Sequence, residues 1–253
     1  MPPDPKPIVL CYHAVSAGWR TPLAVSPAQL EQQLQHFASR GYAALTFVEA
    51  ERRRRSGTLP AKTLVVTFDD AFASILQARP ILARLGFPAT VFVVGDFVGG
   101  DRLLEWPGIT DWLETEHREE FRCLPESELR GLQDEGWEIG AHTMTHPHLP
   151  ELDSEAALHE LAASRELVAE RFGACETVAY PFGEADDRIA ELAARAGYLA
   201  ACTLTRSLKR DEPLLRPRVA VSGPDTPLKA WLKMSGPGVW MRRTLPVQVA
   251  ERL

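Results

Sequence analysis

A chain of 253 residues, 45% hydrophobic and 25% charged, has the composition of an ordinary soluble protein and the length of one large α/β domain. Its formal net charge of −6 argues against nucleic acid or an anionic membrane as the main partner. The four cysteines, Cys11, Cys123, Cys175 and Cys202, include no C-x-x-C pair, so neither a disulfide framework nor a zinc site made of thiolates is expected.

The chain opens with a Pro-rich lead, residues 1–6, expected to be disordered and lacking the apolar stretch of a secretion signal. No later run is long enough to span a bilayer, so a cytoplasmic protein is expected unless the chain has been trimmed. Residues 8–12 form a continuous apolar run and read as a buried first strand ending at His13. Ser26 as N-cap and Pro27 at the first helical position start a helix that stops at Gly41, with Leu30, Leu34 and Phe37 as its apolar stripe. Residues 47–55 read as a second helix whose run Arg52 to Arg55 complements the dipole at a solvated C-terminal turn. The apolar run 64–66 continues through Thr67 and Phe68 to Asp69 and Asp70. A helix over 72–85, containing Pro80, and a strand over 89–94 follow. Residues 95–124 are the least regular stretch and read as an insertion over the strand-end rim, where specificity often resides. A helix over 126–134 and a strand over 137–141 deliver His142. Ser154 caps a long helix to Phe172, and 177–180 is a strand leading into Pro181-Phe182-Gly183. A helix over 186–196 and strands over 199–204 and 218–221 complete the chain. Strand and helix alternate throughout, which indicates a parallel sheet with crossover helices. About seven such units without a phosphate-binding glycine fingerprint suit a barrel better than a Rossmann sheet.

Two stretches carry chemistry. Asp69 and Asp70 leave a buried strand together, and since neighbouring strand residues face opposite ways, both reach one site only past the last pleat. His142 and His146 are spaced i, i+4, which places both imidazoles on one side of a helical turn. Two histidines and one aspartate leave open positions on a divalent ion, as a catalytic site requires. His148 is a weaker additional ligand candidate.

These residues also carry a resemblance. Thr67-Phe68-Asp69-Asp70, His142-Thr143-x-x-His146 and Ala179-Tyr180-Pro181-Phe182-Gly183 are similar to the three leading motifs of polysaccharide deacetylases of the NodB-homology type (carbohydrate esterase family four). The likeness extends from Leu10-Cys11-Tyr12-His13 to Pro217-Arg218-Val219. It implies a distorted (β/α) barrel, TIM-like, of about seven parallel strands in a single domain over residues 1–253. It further implies a divalent metal, zinc foremost with cobalt or nickel as alternatives, on Asp70, His142 and His146, with Asp69 as general base. The peptide N–H of Phe182 becomes an oxyanion donor, Tyr180 and Phe182 shape the substrate wall, and Pro181 stiffens that turn. The Tyr-His pair of the resemblance brings His13 to the site. The substrate implied is an N-acetylated sugar or oligosaccharide; the oligomeric state is left open.

The chain departs from the family pattern in three places. Ala71 stands where glycine is usual, which costs nothing in a helix but clashes at positive φ. Ala179 stands where an arginine usually orients the base; Arg218 is the candidate replacement, with Arg216 in reserve. The usual late histidine acid has no counterpart, so the amine's proton comes from His13, from Asp69 or from solvent. These departures resemble the subgroup acting on poly-β-1,6-N-acetylglucosamine. The competing readings are a hydrolase of another amide on the same barrel, such as a deformylase or cyclic amidase, and a catalytically silent carbohydrate binder.

Overall fold

The computed structural model describes residues 6–100, 102–204, 211–222 and 233. The chain enters at β1 (Ile8–Tyr12), makes a flap of β2 (Ala14–Val15) and β3 (Ala24–Val25), and continues through α1 (Pro27–Ala38), β4 (Ala43–Leu45) and α2 (Phe47–Arg55). Next come β5 (Thr63–Phe68), α3 (Arg79–Leu85), β6 (Thr90–Val93), α4 (Glu126–Asp134) and β7 (Glu138–Ala141). The last elements are α5 (Ser154–Phe172), β8 (Thr177–Ala179), α6 (Asp187–Ala196), β9 (Ala200–Thr203), β10 (Arg216–Pro217) and β11 (Val219–Ala220). Of the Pro-rich lead, residues 1–5 lie outside the described residues, and Lys6 pairs with Asp211 at 2.6 Å.

Every pairing in the main sheet is parallel, in the order β10-β9-β8-β7-β6-β5-β1-β11, with β4 added beside the start of β5. β10 and β11 are one segment interrupted at Arg218. Its first half pairs with β9 (Arg216 opposite Cys202) and its second with β1 (Leu10 opposite Val219). A single broken strand therefore closes the sheet on itself, giving the distorted barrel of about seven parallel strands that the alternating pattern predicts.

Strand alternation separates two cores. Leu10, Leu64, Val66, Phe68, Val91, Ile139 and Val178 face outward and pack with the helices. Val9, Val65, Phe92, Ala179, Ala200 and Cys202 form a smaller cluster inside the barrel, closed off by Phe47 and Ala50 of α2. The α2 N-terminus is anchored there: Val48 N–H donates to Glu138 Oε2 (2.9 Å) and Phe47 N–H to Thr90 Oγ1 (2.9 Å). Strands buried on both faces account for unbroken runs such as Leu64-Val65-Val66.

Local chemistry explains most element ends. Ser26 and Gln29 form a reciprocal capping box under α1. The helix expected over 72–85 is instead a 3₁₀ turn, Ala73–Gln77, followed by α3, because Pro80 is tolerated only in a first turn, where its missing N–H costs nothing. Asp153, not Ser154, caps α5, accepting from Ala156 N–H at 2.8 Å. Three strands of two or three residues, β2, β3 and β4, had no readable period in the sequence. Among the described residues no helix is long and apolar enough to cross a membrane.

Candidate active site

Asp69 and Asp70 follow β5, His142 follows β7 and Pro181-Phe182 follow β8, so one rim collects them. Asp69 N–H donates to Tyr12 O (2.9 Å) and His142 N–H to Val93 O (2.8 Å), extending both ladders one residue beyond their strands. Asp70 then turns left-handed, with φ 69°, and Ala71 follows with φ 57°. That reversal lets two adjacent carboxylates face one site. Ala71 therefore adopts the conformation that suits glycine, and does not open a helix. All five non-glycine residues of positive φ among those described, Asp70, Ala71, Thr143, His146 and Phe182, lie in these rim loops. Backbone strain gathers where side chains must be aimed.

The histidine segment corrects the expectation of a helical turn. It is an irregular loop with φ 65° at Thr143 and 61° at His146. Glu160 of α5 clamps it, accepting from Met144 N–H (2.8 Å), Thr145 N–H (3.0 Å) and Thr145 Oγ1 (2.8 Å). Thr143 Oγ1 accepts from His146 N–H at 3.1 Å. Trp106, from the irregular stretch, stacks on His146 with ring centres 4.2 Å apart, and Phe182 meets the same imidazole edge-on at 4.8 Å. Glu160 carries no motif and was not singled out from the sequence.

Asp70, His142 and His146 bring one ligand atom each to a common place, all of them buried. The Ala179 carbonyl 2.7 Å from His142 Nδ1 can only accept, which makes Nδ1 the protonated nitrogen and leaves Nε2 facing Asp70 Oδ1 at 3.3 Å. His146 Nε2 lies 3.5 Å from the same oxygen, and that oxygen is buried without a hydrogen-bond partner. Ligand distances of about 2.0–2.1 Å give a tetrahedral edge of about 3.3 Å, so these separations suit a shared cation. Electrostatics agree. Burial pushes the Asp70 carboxyl up, but the two imidazoles hold it below its ordinary value. Burial pushes both histidines down; at His142 the two carboxylates outweigh it and raise the group, while His146 falls to about 3. The pocket thus attracts positive charge while keeping one ligand unprotonated.

Asp69 is held differently. Arg218 donates from Nη1 to Oδ1 (2.6 Å) and from Nη2 to Oδ2 (2.7 Å), and also from Nη1 to Thr67 Oγ1 (3.0 Å). Burial pushes this carboxyl up, yet the guanidinium, with His142 beside it, holds it well below the usual carboxylate range. Arg216, two residues earlier, turns to Glu51 of α2 (2.9 and 2.8 Å) and Asp211 (2.9 Å). Of the two arginines, Arg218 is therefore the one that meets Asp69. Ala179 and Cys202, both small and fully buried, leave the barrel interior open to it. Cys11 Sγ lies 3.4 Å from Asp69 Oδ2, and Cys11, His13 and Asp69 form a second close group, His13 being its one partly exposed member.

The expected substrate wall is only partly open. Tyr180 is fully buried with its hydroxyl donating to Leu214 O (3.0 Å), and Pro181 is buried, so neither offers contact surface. Phe182 is 38% exposed. His148 stacks on it at 3.7 Å and pairs with Glu184 at 3.0 Å, outside the ligand cluster. Within the Arg52–Arg55 run, Arg52, Arg53 and Arg54 make ion pairs with Glu176, Glu49 and Asp211 respectively. The remaining cysteines are buried and free.

Comparison with known sequences places these residues in a family. A profile described as "Polysaccharide deacetylase" matches residues 56–201, more than half of the chain. The chain belongs to the polysaccharide deacetylase family. Among its relatives, YxkH of Bacillus subtilis (strain 168) is 27% identical over 198 residues, covering 77% of this chain and 63% of that one. The poly-β-1,6-N-acetyl-D-glucosamine N-deacetylase of Staphylococcus aureus (strain MRSA252) is 26% identical over 185 residues, or 69% of this chain and 59% of that one. This family member thus spans about three fifths of the length of these curated relatives. IcaB from Ammonifex degensii superposes with a TM-score of 0.71 at 25% identity, over 88% of this chain and 94% of that one.

Proposed function

We propose that the chain is a metal-dependent hydrolase that removes N-acetyl groups from an N-acetylhexosamine-containing glycan. The observation that carries the reading is Asp69, pinned by Arg218, beside the convergent Asp70, His142 and His146. A divalent ion on those three residues, zinc foremost, supplies Lewis-acid polarisation of an acyl carbonyl and acidification of water. Asp69 is the base that takes the water's proton. Its carboxylate is too strongly held by Arg218 to deprotonate ordinary water, so the acidification is what matches the pair. Arg218 stays protonated throughout and fixes the direction of the carboxylate lone pairs. His142 is kept in one tautomer by Ala179 O and His146 in one orientation by Trp106. The Phe182 N–H, in a turn with φ 57°, serves as oxyanion donor. The leaving amine takes its proton from Asp69 or from His13.

The S. aureus relative, named for poly-β-1,6-N-acetyl-D-glucosamine, favours β-1,6-linked N-acetylglucosamine as substrate. The exposed Phe182 ring, braced by His148, offers a face for a sugar. The deciding experiment is metal content together with acetate release from N-acetylglucosamine oligomers of different linkage, for wild type and Asp69→Asn. Stoichiometric metal in both, with acetate release falling about 10²–10⁴-fold in the variant, is expected. Metal without acetate from any sugar points instead to another amide or a silent binder. A protein that takes up no zinc refutes the site.

A further inference from the structure

The scattered cysteines gave no reason to expect a thiolate ligand, but the fold places one beside the proposed base. Cys11 ends the inward-facing row of β1, His13 follows two residues later, and Asp69 leaves the neighbouring β5. One ligand atom from each lies within 4.8 Å of the others. We infer that Cys11, His13 and Asp69 form a second, inhibitory site for a thiophilic divalent cation such as zinc or cadmium, adjacent to the Asp70–His142–His146 centre.

The distances support this. A zinc-bound sulfur at about 2.3 Å and a zinc-bound carboxylate oxygen at about 2.0 Å are separated by about 3.5 Å along a tetrahedral edge. The Cys11 Sγ–Asp69 Oδ2 separation is 3.4 Å. The donor set, one sulfur, one imidazole and one carboxylate, is soft enough to select zinc or cadmium over magnesium or calcium. Asp69 Oδ2 accepts from Arg218 Nη2 at 2.7 Å and from the Cys11 thiol at 3.4 Å, and loss of the thiol proton on binding frees the second lone pair for the cation. On binding, the Cys11 S–H bond breaks, its proton passes to solvent, and a sulfur lone pair forms the bond to the metal; nothing is oxidised. Arg218 and an ion in the first site both repel a second cation, so this site fills only after the first. A metal on Asp69 Oδ2 occupies the atom that would take the water's proton. The inhibitory effect rests on the proposed role of Asp69; the binding does not.

The test is cobalt and cadmium titration of the chelator-stripped full chain, followed by absorption and acetate release. The first equivalent is expected to bind without a sulfur-to-metal charge-transfer band and the second to bring that band with it. The second equivalent should also lower acetate release about a hundredfold, as expected for loss of a general base. Cys11→Ala should keep the first equivalent and lose the band, and whatever rate it has should no longer respond to the second. His13→Ala should weaken the second site at least tenfold while leaving thiolate absorption at saturating cadmium, which keeps the question open to measurement if Cys11→Ala does not fold. A wild-type protein that binds one equivalent and shows no band overturns the inference, as does a band that survives in Cys11→Ala. Absence of acetate release from every substrate, with the band present, would refute the proposed function and leave the second site standing.

Discussion

Arg218 and Asp69 are the residues whose interaction has the largest consequence. Both are almost wholly buried, and the guanidinium satisfies both carboxylate oxygens. Arg218→Ala leaves a buried charge unpaired and should destabilise the fold by about 3–5 kcal/mol in urea unfolding. Arg218→Lys should recover only part of this, because a single ammonium cannot reproduce the two-pronged contact. The sign with pH follows from the depressed carboxyl. Its contribution to stability is fully present above the ordinary aspartate value of about 4 and is lost as pH falls through the lower folded value. The Arg218→Ala penalty should accordingly be largest at neutral pH and shrink in acid, where the orphaned carboxyl protonates. A penalty independent of pH would mean that packing, not charge, holds Arg218 in place. Ala71 poses a smaller question of the same kind. Its left-handed backbone costs about 1–2 kcal/mol, but its buried methyl contributes about 0.8 kcal/mol, and glycine would add backbone freedom to the unfolded chain. The terms nearly cancel, so Ala71→Gly should change stability by less than about 1 kcal/mol in thermal unfolding, which is how alanine survives at a position that suits glycine.

At the scale of the element, the histidine loop depends on a helix outside the motif. Glu160 of α5 accepts three hydrogen bonds from Met144 and Thr145 and so sets the distance between His142 and His146. Glu160→Ala should lower metal affinity about 10–100-fold, measured by chelator competition, while unfolding shifts little. The affinity loss separates a positioning role from a merely structural one. The Pro181–Gly183 turn is equally constrained: a Cβ on Gly183, at φ 71°, would lie 2.1 Å from Leu204 Cβ and 2.4 Å from its backbone nitrogen. That contact ties the loop bearing Phe182 to the end of β9. Candidate ligands, helix spans and most strands could be read from sequence because each is a local pattern. The Glu160 clamp and the stacking of Trp106 on His146 could not, since each joins two separate elements and neither residue occupies a distinctive spacing.

Across the whole molecule, the barrel separates stability from chemistry. Its rim carries the strained loops and the candidate metal ligands. Its other end is closed by α2, where Glu51 and Arg216 form a buried pair and Glu138 receives the helix N-terminus. Glu51→Ala should cost about 3–5 kcal/mol of stability yet leave acetate release per folded molecule unchanged, and a fall in the rate of the folded fraction would contradict that division. Sequence alone determined the alternation of apolar strands and capped helices, and hence the parallel barrel, because burial on both faces and helix periodicity are properties of contiguous residues. It also displayed the two aspartates and two histidines as parts for a cation. Only the tertiary structure decided which arginine meets Asp69, that Ala71 is left-handed, that the histidine segment is no helix, and that Cys11 stands against the base. The Arg218 and Cys11 contacts depend on which strands become neighbours, and the two loop conformations on what packs around the rim, and no local pattern carries that information.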